Sequence, residues 1–391
     1  MQFRRIKPIL FSVLAQFATP VTRIFLSLAV IRLYSNECWG AYVQYYLVIT
    51  LCMVAVNWGS RDFLLRAFSR EPQAIQKTLS GSMAGKTAIA LAVVLVLWLT
   101  PVPFNKALIA LWIGGQLSWQ FFESLNTYRR LFLQASLAEL GLTGMMIAVI
   151  LSLPMTITGL LALFIVSEWA KGLVFAIFNR KYLAVKWISF RSGLAFLKDA
   201  APFLLVVLTG AAAARGDLYM LALKMDEGHL AQYQVLSNFI QSGHLLASAI
   251  LLPFIKNLYR LPKDSVYRLE RRFLQAGLLM TPLLVLFIYG VVHFGYGFRF
   301  YATDYLLSAG LILTYFLYFI RMQMAYRQNR LPELTIILLI MGLCKVGGSI
   351  WLVPAYGITG ALTAALISYL AGIVGFWRTG NRVGSGDNGY F

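Results

Sequence analysis

The chain has 391 residues, of which 59% are hydrophobic and only 13% charged, and its formal net charge is +19. Soluble domains carry about 25% charged residues, so a single water-soluble globule is excluded and the composition is that of a polytopic membrane protein. The Lys and Arg residues sit in short gaps between apolar runs rather than clustered as they would be on a nucleic-acid-binding surface. The three cysteines, Cys38, Cys52 and Cys344, are far apart and form no CxxC or Cys/His cluster, which excludes a disulfide framework and a zinc site and leaves them as small packing residues.

Taken in order, the chain opens with MQFRRIK and an apolar run from Pro8 to Ile31. The run is too long for the apolar region of a signal peptide and lacks an A-x-A site, so it reads as an uncleaved first span. Apolar runs of about twenty residues, the length that crosses a bilayer, then recur. The expected spans are 8–32, 40–60, 83–100, 105–125, 132–152, 156–178, 199–223, 230–254, 273–294, 301–321, 332–353 and 357–377. The expected fold class is therefore all-α, a polytopic membrane protein of about twelve transmembrane helices. Alternate gaps between these spans, with the termini, hold 25 Lys and Arg on one side and 4 on the other (Arg32, Lys106, Lys224 and Arg299). That asymmetry places both termini in the cytoplasm. The outer gaps are short and leave no room for an extramembrane domain.

The largest inner gap, NRKYLAVKWISFRSGLAFLK over 179–198, interleaves basic residues with Trp187, Phe190 and Phe196. It reads as an amphipathic segment on the anionic inner leaflet, and it divides the spans six and six. An internal repeat supports the division. ITGLLALFIVSEWAK (157–171) and ITGALTAALISYLAG (358–372) share Ile-Thr-Gly, the serine at 167/368 and the alanine at 170/371, each after a proline, Pro154 or Pro354. A weaker echo relates Arg23, Arg32 and Gly40-x-Tyr42 to Arg215, Lys224 and Ala231-x-Tyr233. Six spans is an even number, so the two lobes run parallel, related by an axis along the membrane normal. The expected organisation is an N-terminal six-helix lobe over 1–180, an amphipathic cytoplasmic linker over 181–198, a C-terminal six-helix lobe over 199–380 and a flexible tail over 381–391.

Charge inside a span is costly and tends to face a bundle interior or a water-filled cavity. Five cations lie in spans: Arg23, Lys86, Lys171, Arg215 and Lys345. Lys86 lies near the inner end and is expected to snorkel. The acidic residues are Glu168 and Asp217, with Glu123 and Glu139 nearer the inner surface. Glu168 and Lys171, spaced i, i+3, can pair on one helix face, although the copied span replaces them with Tyr369 and Gly372. Arg215 and Asp217 point about 200° apart, so each needs a partner on another helix or water; Arg23 is one candidate partner for Asp217, and the outer headgroups one for Arg215. His244 reads as a hydrogen-bonded packing residue or a proton carrier. The expected cleft thus holds more positive than negative charge, which suits an anionic, hydrated ligand. The candidate substrate-binding residues are Arg23, Lys171, Arg215 and Lys345; the candidate coupling or charge-pairing residues are Glu168 and Asp217. Neither HExxH, GxxxxGK[ST] nor GxSxG occurs, so no enzymatic activity, cofactor or metal is expected. Transport would draw on an ion or proton gradient, the substrate gradient or a separate protein.

Three stretches carry a family resemblance: ARGDLYMLALKMDEGHLAQYQV, YSNECWGAYVQYYLVITLCMVAVNWGSRDFLLR and VPAYGITGALTAALISYLAG. They resemble, in order and spacing, the seventh-to-eighth helix, the second-span and the last-helix regions of Wzx-type O-antigen and polysaccharide flippases. These belong to the superfamily that also holds MATE exporters and lipid II flippases. The resemblance implies two six-helix lobes in a V that alternates between inward- and outward-open states. It implies movement of undecaprenyl-pyrophosphate-linked oligosaccharide, an O-antigen or related repeat unit, from the inner to the outer leaflet of the bacterial cytoplasmic membrane, with proton antiport as one proposed coupling. The partners implied are that lipid-linked oligosaccharide, membrane lipids and other polysaccharide-assembly proteins, with no nucleic acid. Three other classes compete. A MATE-like exporter of small cations would call for excess carboxylates in the cleft. A polymerase or ligase would call for a large outer loop, and a scaffold would leave the buried charges unexplained.

Overall fold

The computed structural model describes residues 17, 20–101, 103–183, 189–258, 263–327 and 330–381. The start of the expected first span, residues 184–188 of the expected linker and all but the first residue of the expected tail lie outside them. The described residues contain no strand. In chain order the helices are α1 (20–33), α2 (Asn36–Asn57), α3 (Ser60–Arg70), α4 (Ile75–Leu99), α5 (Lys106–Tyr128), α6 (Phe132–Ser152), α7 (Ile157–Phe178), α8 (Phe190–Lys224), α9 (Glu227–Leu258), α10 (Lys263–Gly290), α11 (Ala302–Arg327) and α12 (Leu331–Asn381). Every apolar run expected from residue 40 onward falls on one of them.

Local chemistry starts these helices. Ser35 caps α2 by accepting from Cys38 N, Asn105 caps α5 by accepting from Ala107 N and Leu108 N, and Thr156 caps α7 by accepting from Gly159 N. Each such cap is worth about 1 kcal/mol. The 51-residue α12 would span about 76 Å if straight, more than twice the hydrocarbon thickness. It breaks at Gly357, whose φ of 55° and ψ of −125° are open to glycine and costly for any other residue. The two arms coincide with the last two expected spans.

Among the described residues, eight helices are long and apolar enough to cross a membrane. Large apolar side chains such as Leu91, Leu95, Leu99 and Trp351 are exposed on them, as lipid-facing positions require. The long helices α5 and α9 are outside the eight. Their polar residues are turned inward instead: Gln116, Gln120, Ser124 and Asn126 on α5, and Gln234, Ser237, Asn238 and His244 on α9, are all buried. The chain is thus an all-α polytopic membrane protein.

The chain divides into two compact units, Met1–Leu208 and Thr209–Phe391, with the boundary inside α8. In unit 1, α5 packs on α7 at very short range. A Cβ on Gly172 would lie 1.8 Å from Ser118 Oγ, so only glycine admits this approach. One core cluster of unit 1 joins Leu64 and Phe68 of α3, Leu79 of α4, Leu125 of α5 and Phe196 of α8. Phe196, from the second half of the expected linker, is 5% exposed there. A core cluster of unit 2 gathers Ala213, Tyr318, Leu334, Met341 and Phe376.

Candidate substrate cavity

Polar and charged residues recur at helical spacing on the inner faces of unit 1. Trp112, Gln116, Trp119, Gln120 and Glu123 repeat along α5, and Phe164, Ser167, Glu168 and Lys171 repeat along α7. With Thr22 and Arg23 of α1, Tyr42, Tyr46, Thr50 and Asn57 of α2, and Glu139 and Thr143 of α6, they line a cavity of about 390 Å³ wholly within unit 1. Cavities of roughly 300–1,000 Å³ hold small-molecule ligands.

The charged groups of this cavity are mutually engaged. Lys171 Nζ forms an ion pair with Glu139, and stands 4.2 Å from the centroid of the Trp119 ring. Trp119 Nε1 donates to Glu168. Arg23 places its guanidinium carbon 5.3 Å from the centroid of the Tyr46 ring, a cation–π arrangement. Glu123 meets Arg61 at 3.6 Å. Lys171 therefore pairs with Glu139 on α6; i, i+3 spacing also allows Glu168 on its own helix. Within unit 1, Arg23 and Lys171 are the cations lining this cavity, while Glu123, Glu139 and Glu168 are its carboxylates. Glu123 and Glu139, expected nearer the inner surface, lie on the helix faces that line it.

Lys86 corrects a further expectation. It does not snorkel; it is 2% exposed, and Nζ lies 3.4 Å from the carbonyl oxygen of Gln120.

In unit 2, Asp217 and Lys345 come together. Lys345 Nζ is 3.0 Å from Asp217 Oδ2 and donates to the Ala214 carbonyl at 3.1 Å. Tyr233 donates its hydroxyl to the same carboxylate. Asp217 is thus partnered by α12 and α9 within its own unit, and Arg23 is not needed for it. Around this pair, His244 stacks on Tyr315 at 4.5 Å, approaches Tyr369 at 5.4 Å, and has Nε2 3.1 Å from the Leu311 carbonyl. Arg215 is half-buried on α8, two positions before Asp217.

Of the candidate residues, the structure brings Arg23, Lys171 and Glu168 into one cavity and joins Lys345 to Asp217. Sequence reasoning missed Trp112, Trp119 and Gln120 as cavity residues. Their signal was present as polar and indole side chains at 112, 116, 119, 120 and 123, one face of an otherwise apolar helix.

No protein-family model matches the chain, and no curated protein matches it. Solved structures do. The lipid II flippase MurJ in an inward closed conformation superposes with a TM-score of 0.73 at 17% identity, covering 95% of this chain and 87% of that one. An inward-facing multidrug resistance MATE family transporter of the MOP superfamily gives 0.64 at 15% identity, covering 95% and 98%. The Vibrio cholerae MATE transporter VcmN gives 0.63 at 14% identity, covering 98% and 97%. At such identities the likeness is one of fold, and it extends over nearly the whole chain: this protein has the helical architecture shared by MurJ and the MATE transporters of the MOP superfamily.

Proposed function

We propose that the protein moves a lipid-linked oligosaccharide, an O-antigen or related surface-polysaccharide repeat unit on undecaprenyl pyrophosphate, across the bacterial cytoplasmic membrane from the inner to the outer leaflet. Two lobes of six spans, 1–180 and 199–380 about the 181–198 linker, alternate in access to the two sides, and both termini face the cytoplasm. The observation that carries this reading is the combination of a fold like that of a lipid II flippase with a polar and aromatic cavity among membrane helices. A headgroup of sugar and phosphate must shed water to cross, and buried polar side chains offset that loss. In this reading Arg23 and Lys171 of unit 1 and Arg215 of unit 2 are each substrate contacts, and Glu168 takes part in coupling. Lys345 passes from substrate contact to charge pairing with Asp217.

A second reading, a MATE-like ion-coupled exporter of small molecules, is favoured by one observation: carboxylates outnumber cations in the unit 1 cavity. Reconstitution into liposomes separates the two. The flippase reading expects a fluorescently tagged undecaprenyl-pyrophosphate oligosaccharide to become accessible to an impermeant quencher on the far leaflet only when the protein is present. Transport of a cationic dye with no movement of the tagged lipid would establish the exporter.

A further inference from the structure

Two buried polar atoms of the unit 1 cavity lack the bonds they are built to make. Trp112 is 1% exposed and its indole Nε1 has no hydrogen-bond partner among the described residues. Gln120 is 8% exposed and its amide Oε1 likewise has none. Buried polar groups are nearly always paired, and an unmade bond costs more than a made one returns. Both residues line the cavity, so a bound molecule toward which the two side chains turn would complete them.

The chemistry of that molecule follows from what is vacant and what is taken. The carboxylates of Glu139, Glu168 and Glu123 are engaged by Lys171, Trp119 and Arg61. Arg23 stands over the Tyr46 ring, and the open capacity of the two buried atoms is neutral: one N–H that donates and one carbonyl that accepts. A hydroxyl group serves either. Trp112 and Gln120 are eight positions apart on α5, about 12 Å along the axis at 1.5 Å per residue, so an extended ligand carrying several hydroxyls reaches both better than one small ring. Beside them the rings of Tyr42, Trp112 and Phe164 form an apolar wall, with centroids 4.2 Å (Tyr42–Phe164), 5.6 Å (Tyr42–Trp112) and 6.0 Å (Trp112–Phe164) apart. Hydroxyl-bonding edges beside an aromatic wall match the two faces of a sugar ring, whose hydroxyls project sideways and whose C–H faces are apolar.

We infer that the unit 1 cavity is a sugar-ring subsite, in which Trp112 donates to and Gln120 accepts from hydroxyls of a neutral oligosaccharide segment while the Tyr42–Trp112–Phe164 wall packs on its apolar face. The inference rests on the flippase reading for the source of the sugar, since it assigns the segment to the lipid-linked substrate.

The test uses Trp112→Phe, which keeps the ring wall and removes the N–H, and Gln120→Met, which keeps length and removes the carbonyl. In liposomes, each raises KM for the tagged undecaprenyl-pyrophosphate oligosaccharide roughly tenfold, the loss of one hydrogen bond. Inhibition by sugar-free undecaprenyl pyrophosphate is unchanged. Without ligand, each variant is as heat-stable as the wild type or more so, because the deleted group had no partner. An unchanged KM overturns the subsite while leaving the flippase reading intact. A loss of unliganded stability also overturns it, by showing that the groups serve the fold or an ordered water. A wild-type protein that moves no lipid-linked oligosaccharide overturns the flippase reading itself, and the stability arm still judges the vacancy.

Discussion

Lys345 and Asp217 form an ion pair of 3.0 Å in which both side chains are only 4% exposed. Tyr233 and the Ala214 carbonyl complete their bonding. Removing one partner of a buried pair leaves an uncompensated charge and costs about 3–5 kcal/mol, whereas replacing both by apolar groups of similar volume is often neutral. Asp217→Ala and Lys345→Ala are therefore each expected to lower the thermal unfolding temperature of the detergent-solubilised protein sharply. The double variant Asp217→Leu/Lys345→Met should recover most of the loss. Losses that simply add in the double variant would show that the two residues are not coupled.

The same pair shows how far the sequence could be read. Helix positions were legible because hydrocarbon demands long apolar runs and loops concentrate Lys and Arg; the spans from residue 40 onward fall on helices for that reason. The internal repeat aligns Glu168 and Lys171 with Tyr369 and Gly372. Glu168 and Lys171 line the unit 1 cavity, while their counterparts Tyr369 and Gly372 also face the interior of their own unit. Tyr369 stands 5.8 Å from Tyr318, and a Cβ on Gly372 would fall 2.5 Å from Met341 Sδ. Charge partners were not legible. Whether Lys171 meets Glu168 or Glu139, and whether Asp217 meets Arg23 or Lys345, depends on rotation of neighbouring helices. Linear spacing along one helix carries no record of that rotation. Lys86 was misplaced for a related reason: proximity to a helix end suggests snorkelling only when the side chain faces lipid.

The α5–α7 contact rests on the absence of one side chain. A methyl group on Gly172 would lie 1.8 Å from Ser118 Oγ and 2.6 Å from Ser118 Cβ. Overpacking of this kind costs roughly 1–3 kcal/mol. Gly172→Ala is expected to lower stability by that order and to perturb the cavity, since Lys171 is its chain neighbour. Ser118→Gly removes both crowding atoms, so Gly172→Ala placed in that background should cost much less than alone. Equal costs in the two backgrounds, measured by thermal unfolding, would place the strain elsewhere.

The turn between α8 and α9 supplies a pH-dependent element outside the spans. Asp226 precedes α9, and its backbone carbonyl accepts from Leu230 N at 3.1 Å. Its Oδ1 accepts from the backbone N–H of His229 at 2.9 Å and its Oδ2 lies 2.6 Å from His229 Nδ1. This is helix capping by a carboxylate, worth about 1 kcal/mol. The His229 backbone N–H, more than the imidazole, holds the Asp226 carboxyl below its ordinary value of 3.8. A depressed value favours the folded state as long as the folded carboxyl stays ionised, and fully once the unfolded one is ionised too. The contribution is therefore whole above about pH 4 and disappears as pH falls through the lower, folded value. Asp226→Ala should be less heat-stable than wild type at pH 7, with the gap closing as the pH is taken below 4. In a His229→Gln background the backbone bond survives, so most of the narrowing should persist. A gap independent of pH would mean that the carboxylate does not cap α9.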